Sequence, residues 1–200
     1  MRILASMSSR DYFLGKRIAL VGIGPQGEML ADIKFLVKAG ALVSVYDLRS
    51  EAKLLPHLSF LRSIGLANLI CGSVPAEDLL DMDIVILSHE YPRTSSFLAH
   101  VSKTNTWIEY PETLFLKLAP PVSVIGVMGV CGKSTLISIL APMMDAICKR
   151  EGVQKSVVID FESGDGIVSR LKNVKSGDVV IMRIDEHVMN EIVALKWSPH

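Results

Sequence analysis

Short apolar runs alternate with amphipathic stretches along most of this chain, and the alternation predicts its architecture. RIALVGIG (17–24) is rich in β-branched residues and ends in glycines, the profile of a buried strand entering a tight turn. QGEMLADIKFLVKAG (26–40) then carries apolar residues at helical spacing, with Gly40 placed to stop the helix. ALVSVYD (41–47), ANLICG (67–72), DMDIVILS (81–88) and NTWIEY (105–110) read as further strands. Between them lie a helical pattern around 57–64 and PRTSSFLAHV (92–101), which reads as a helix opened by proline. Strands alternating with helices predict an α/β fold with a parallel, wound sheet.

The pattern breaks at LKLAPP (116–121), because paired prolines stop a helix and start an extended segment. A domain boundary is expected there, dividing 1–118 from 119–200. After it comes a new strand (VSVIGVMG), a loop (VCGK) and a helix (STLISILAPMMDAICKR), then strands SVVIDF (156–161) and DVVIMRI (178–184). A last helix, EHVMNEIVAL, leads to SPH. This second region is short for a complete nucleotide-binding domain, so it is expected to be a truncated one.

Composition narrows the function classes. Lys+Arg and Asp+Glu both total 21, and the neutral chain has no basic tract to recommend nucleic acid as a partner. No apolar run reaches the length of a membrane span, and the N-terminus lacks the apolar core of a signal peptide. Cys71, Cys131 and Cys148 are scattered, which predicts reduced thiols in a cytoplasmic protein and offers no zinc spacing. Nothing in the sequence fixes an oligomeric state.

Two glycine-bearing turns carry the candidate chemistry. Gly22, Gly24 and Gly27 form G-x-G-x-x-G between the first strand and the first helix, and Asp47 ends the second strand. Such a turn lets a ligand approach the backbone, and the helix start offers N–H groups to a phosphate. The acid at the second strand's end can accept from a ribose hydroxyl. This predicts a Rossmann-like nucleotide site. The alternative is a turn that merely packs helix on strand.

The second turn is Gly129-Val130-Cys131-Gly132-Lys133-Ser134-Thr135, between a strand and a helix. Successive N–H groups can nest an anion, Lys133 can reach the β- and γ-phosphates of ATP, and the Ser134 hydroxyl can sit on Mg²⁺. Val127 stands where the general phosphate-loop pattern has its first glycine, so the loop is the shorter G-x-x-G-K-S.

In this order, the two motifs resemble those of the Mur ligases. VIGVMGVCGKST is similar to that family's T-G-T-N-G-K-[ST] loop, and WIEYPETLFLKLAP stands where the family has I-x-x-E-x-E-L-F. GIGPQG resembles the family's first glycine loop, YDLR its D-x-R, IVILSHEYP its V-x-S-P-G-I, and GDVVIMRIDEHVMNEIVALKWSPH its strand–helix stretch ending in S-P-H. The likeness is greatest to the D-glutamate-adding branch. It implies an ATP-dependent ligase of peptidoglycan precursor synthesis, joining D-glutamate to UDP-N-acetylmuramoyl-L-alanine through an acyl phosphate. It further implies that Gly24, Gln26 and Gly27 approach the nucleotide, Asp47 and Arg49 its uridine side, and Ser88 the diphosphate. Residues 129–135 would hold ATP with Mg²⁺ on Ser134, and Lys133 would be catalytic. The chain departs from the family at Met128 and Val130 (hydroxyl residues there), at Cys131 (asparagine), at Glu90 (glycine) and at Arg183 (a metal-binding glutamate). A fragment with these departures is expected not to ligate on its own.

Two other functions compete: a nicotinamide-dependent oxidoreductase, resting on Gly22, Gly24, Gly27 and Asp47, and a non-catalytic nucleotide-binding relative, motivated by Arg183. Other residues invite plainer readings. Met143 and Met144 are expected to fill a core, Glu109 and Glu112 to cap or solvate a helix, and Asp160, Glu162 and Asp165 to form a solvated turn.

Overall fold

A computed structural model describes residues 9–152, 156–159, 164 and 166–194. The chain divides into two compact units, the first ending at Pro111 and the second beginning at Glu112.

The first unit opens with α1 (Ser9–Phe13) and then alternates β1 (Arg17–Val21), α2 (Leu30–Lys38), β2 (Leu42–Asp47), α3 (Glu51–Ser63), β3 (Asn68–Cys71), α4 (Ala76–Leu80), β4 (Ile84–Leu87) and β5 (Trp107–Glu109). Its five strands are parallel in the order β3-β2-β1-β4-β5. The central pair explains itself: Ile18 to Val21 and Ile84 to Leu87 are buried on both faces, so these strands need continuous apolar runs rather than alternation. On α2, Ile33 and Leu36 face the core fully buried. Each such side chain stabilises by roughly 1.5–3 kcal/mol, and Ile33→Ala would cost about 2–5 kcal/mol.

Gly40 ends α2 as the sequence predicts. It takes φ +87°, its N–H donates to Val37 O, and Ala41 N–H donates to Leu36 O, which satisfies the helix's last carbonyls. The helix starts later than its periodicity suggests, at Leu30, because Gly27 N–H and Met29 N–H close turns onto Gly24 O and Ile23 O. The helix expected over 92–101 is replaced by two 3₁₀ turns, Ser96–Leu98 and Val101–Lys103. Ser95 Oγ, Ser102 Oγ and Thr104 Oγ1 donate to the carbonyls of Pro92, Ala99 and Val101, and such local bonds compete with a helical ladder.

The boundary falls at the first residue of α5 (Pro111–Leu118), which leads into the second unit: β6 (Ser123–Val127), α6 (Lys133–Arg150), β7 (Ser156–Ile159), a 3₁₀ turn (Val168–Lys172), β8 (Val179–Arg183) and α7 (Glu186–Ala194). The strands are parallel in the order β6-β8-β7, with Val127 opposite Arg183. Val127, Ile137 and Ile181 form a core cluster joined by Ile125, Leu140, Ala141 and Met144. Met144 therefore fills core as expected, whereas Met143 is exposed. Glu109 and Glu112 are buried, not solvated. The acidic turn of Asp160, Glu162 and Asp165 and the closing SPH lie outside the described residues. Among the described residues, no helix is long and apolar enough to cross a membrane.

Candidate functional site

In the first unit the strand order reverses between β1 and β4, the switch point where wound sheets bind ligands beyond their carboxyl ends. The glycine turn after β1, Asp47 at the end of β2 and Ser88 after β4 all gather there, with Ser88 N–H donating to Val21 O. The topology thus brings Gly24, Gln26, Gly27, Asp47, Arg49 and Ser88 to one end of one sheet.

What fills the turn comes from the chain itself. A Cβ on Gly22 would lie 2.5 Å from Tyr91 Cε2 and 2.9 Å from Ser88 Cβ. One on Gly24 would overlap the Glu28 carboxylate, and one on Gly27 would meet His57 Cε1 at 2.9 Å. The Glu28 carboxylate accepts from Gln26 N–H at 3.0 Å, where a ligand phosphate would otherwise dock.

Asp47 is fully buried and deeply engaged. Its carboxylate accepts from Ile23 N–H (3.2 Å), Arg49 N–H (2.8 Å), Arg49 Nε (2.9 Å) and Arg49 Nη2 (2.7 Å). Arg49 Nη2 also donates to Gly24 O at 3.0 Å. Burial is the largest single influence on Asp47 and opposes ionisation, but the bonds from Arg49 and Ile23 together outweigh it. The carboxyl is held below its ordinary range. Arg49 and Asp47 thus latch the end of β2 to the turn after β1. At the rim Glu90 is an exposed residue, and desolvation on its inner side raises its carboxyl; Arg49 opposes the rise, and Asp47 and Glu28 add to it. Burial, then the Asp47 charge, pushes the Tyr91 phenol up.

The second turn is open. Gly129, Val130, Cys131 and Gly132 are all exposed, Val130 completely so. Gly132 caps α6 in the left-handed region at φ +78°, with no atom near a would-be Cβ, so glycine serves conformation here rather than space. Lys133 folds back over the loop, donating to Gly129 O at 2.7 Å and standing 3.6 Å from Asp185 Oδ1. Ser134 Oγ, in the first turn of α6, accepts from Nη2 of Arg183 at the end of β8. Thr135 is exposed on the first turn of α6.

The chain is 34% identical over 178 residues to the UDP-N-acetylmuramoylalanine–D-glutamate ligase of Clostridioides difficile, a match covering 89% of this chain and 38% of the relative. The chain is a relative of the Mur ligases. Ligases of the same name from Clostridium botulinum (27% identical, 95% of this chain, 39% of the relative) and Roseiflexus sp. (30%, 65% and 28%) also match. The chain spans about two-fifths or less of the length of these curated relatives. No family model matches the chain. A solved pseudomurein peptide ligase type C from Methanothermus fervidus is 21% identical over 90% of this chain and 36% of its own, with a TM-score of 0.45, too low to decide fold or function.

As a candidate phosphate site in a Mur ligase relative, the loop at 129–135 has one misfit. Mg²⁺ would need the Ser134 hydroxyl, and that oxygen already accepts from a guanidinium. The strand end beside it, where a carboxylate would share the ion, carries Arg183 instead. The residues present do not fit the metal. Sequence reasoning also missed Glu28, His57 and Tyr91, which fill the first turn; only Glu28, one residue beyond Gly27, was visible as a local candidate.

Proposed function

We propose that this chain supplies the nucleotide-sugar-binding and ATP-binding portions of an ATP-dependent ligase that joins D-glutamate to UDP-N-acetylmuramoyl-L-alanine. The observation that carries the reading is the open loop at 129–132 with Lys133 folded over it, in a chain related along most of its length to ligases of that name. In such a reaction a substrate carboxylate oxygen attacks the γ-phosphorus of ATP and ADP departs, leaving an acyl phosphate. The amine of D-glutamate then attacks the acyl carbon, phosphate departs, and the amine's proton passes to solvent. Lys133, already desolvated on one side, would meet the charge that builds on the β- and γ-oxygens. Backbone N–H groups of Gly129, Val130, Cys131 and Gly132 would cradle the phosphates, and Ser134 and Thr135 would begin the helix behind them. The UDP end would lie along the first turn, at Gly24, Gln26, Gly27, Arg49 and Ser88, with Asp47 holding Arg49 in place.

A nicotinamide oxidoreductase is disfavoured, because the Asp47 carboxylate that would accept from a ribose is taken up by Arg49 and Ile23. A second reading has one observation in its favour. Arg183 on Ser134 suits a relative that binds nucleotide without turning it over.

Calorimetric titration with UDP-N-acetylmuramoyl-L-alanine, with NADH as control, tests the first unit. Saturable binding of the UDP-sugar, weakened by Arg49→Ala, is expected. Binding of NADH alone would transfer the case to the oxidoreductase. With ATP and D-glutamate added, this chain by itself is expected to make no amide, and a measurable product would overturn that expectation.

A further inference from the structure

The phosphate loop is flanked by two cations, and one of them stands where phosphate-loop enzymes keep a metal. In those enzymes the hydroxyl residue after the loop lysine and a carboxylate on a neighbouring strand share one Mg²⁺. Here the neighbouring strand is β8, and its last residue, opposite Val127, is Arg183. Its Nη2 donates to Ser134 Oγ, placing a positive charge against the oxygen that the ion would need. The nearest acid along the chain, Asp185, is turned to Lys133 Nζ at 3.6 Å. A guanidinium repels a divalent cation, but its planar fork of donors suits phosphate oxygens.

We propose that the loop binds a nucleotide polyphosphate free of metal, with the Arg183 guanidinium taking the place of the divalent cation beside Ser134. This rests on the ATP-binding reading above. Lys133 then neutralises the phosphates from the loop side and Arg183 from the strand side. Mg²⁺ complexed to the nucleotide brings a second positive charge against Arg183 and gains no protein ligand in exchange. The arrangement allows the anion to be held but leaves the transferring phosphoryl without the ion that ordinarily bridges its oxygens.

The test is titration of the chain with ATP by calorimetry, once in EDTA and once in millimolar Mg²⁺, for wild type, Arg183→Gln and Arg183→Glu. The wild type is expected to bind in EDTA at least as tightly as in Mg²⁺. Arg183→Gln is expected to lose about tenfold in EDTA, the scale of one charge-assisted hydrogen bond. Arg183→Glu should lose more in EDTA and recover on adding Mg²⁺, because it restores a carboxylate beside Ser134. Far-UV circular dichroism checks that each variant is folded, and Arg183→Gln serves if the charge reversal is not. Wild-type binding that is tenfold or more tighter with Mg²⁺ would overturn the metal-free site and leave the ATP reading intact. No ATP binding in either buffer would overturn both.

Discussion

The two glycine turns begin alike, each leaving a parallel strand for a helix, and they end in opposite conditions. In the first, the space that glycine creates is filled by Tyr91, Glu28 and His57 of the same chain, and Glu28 accepts from the Gln26 amide. In the second, the residues 129–132 are exposed and the space around Gly132 is open. A glycine spacing therefore records that something comes close to the backbone, without recording whether that something is a ligand or a neighbouring side chain. In the first turn the chain's own side chains fill the space and Asp47 with Arg49 latches it, so the proposed UDP-sugar would lie against that filling. The second has the exposure and the lysine that an anion site needs.

Asp47→Ala should have the largest effect on this contrast. It leaves Arg49 without its carboxylate partner and the Ile23 amide without its acceptor, which is expected to cost about 3–5 kcal/mol, read by urea unfolding. A change below about 0.5 kcal/mol, typical of a neutral surface site, would mean that the latch is not structural. The pH dependence follows from the direction of the shift. Because the folded-state pKa of Asp47 is depressed, its stabilisation is complete above the unfolded value of about 3.9 and is lost as pH falls through the folded value. Asp47→Asn should flatten that acid limb of the stability curve.

Lys133→Ala comes next, and it should act on the other loop in the other way. ATP affinity is expected to fall by about 1.5–3 kcal/mol in binding free energy, while the melting temperature stays within a degree or so, as for a surface change. Equal losses of binding and stability would remove the distinction between the loops. Glu28→Gln sharpens it from the first side. Removing the carboxylate charge beside Gln26 N–H should tighten UDP-sugar binding by a few-fold, the scale of one exposed charge pair, whereas weaker binding would make Glu28 a ligand contact.

Glu90→Gln should have the smallest effect. The Glu90 carboxyl has a raised folded-state pKa, so ionising it opposes folding as pH rises through that window. The glutamine variant is expected to melt slightly higher than wild type at neutral pH, with no gain below the unfolded-state value of about 4.3, where both forms are uncharged. A gain that persists at low pH would point to a packing effect instead.

Much of this was legible in the sequence. The runs 18–21 and 84–87 read as buried strands because a parallel sheet covered on both sides demands unbroken apolar residues. Gly40 read as a helix stop because only its position past the last apolar residue fits the closing motif. Serines and threonines in 94–104 misled the helix reading, since their hydroxyls bond locally to carbonyls that a helix would use. The fillings of the first turn were not legible, because His57 and Tyr91 arrive from α3 and from the loop after β4. Arg183 could be recognised as a departure by residue type alone. Its partner could not, because Ser134 lies 49 residues away on a different element.

The most direct measurement is an amide NMR titration of the chain with ATP. Shifts are expected at residues 129–135 and at Arg183, with residues 22–28 unmoved. Shifts at 22–28 with none at 129–135 would contradict it, because they would make the filled turn the ATP site and the open loop a bystander.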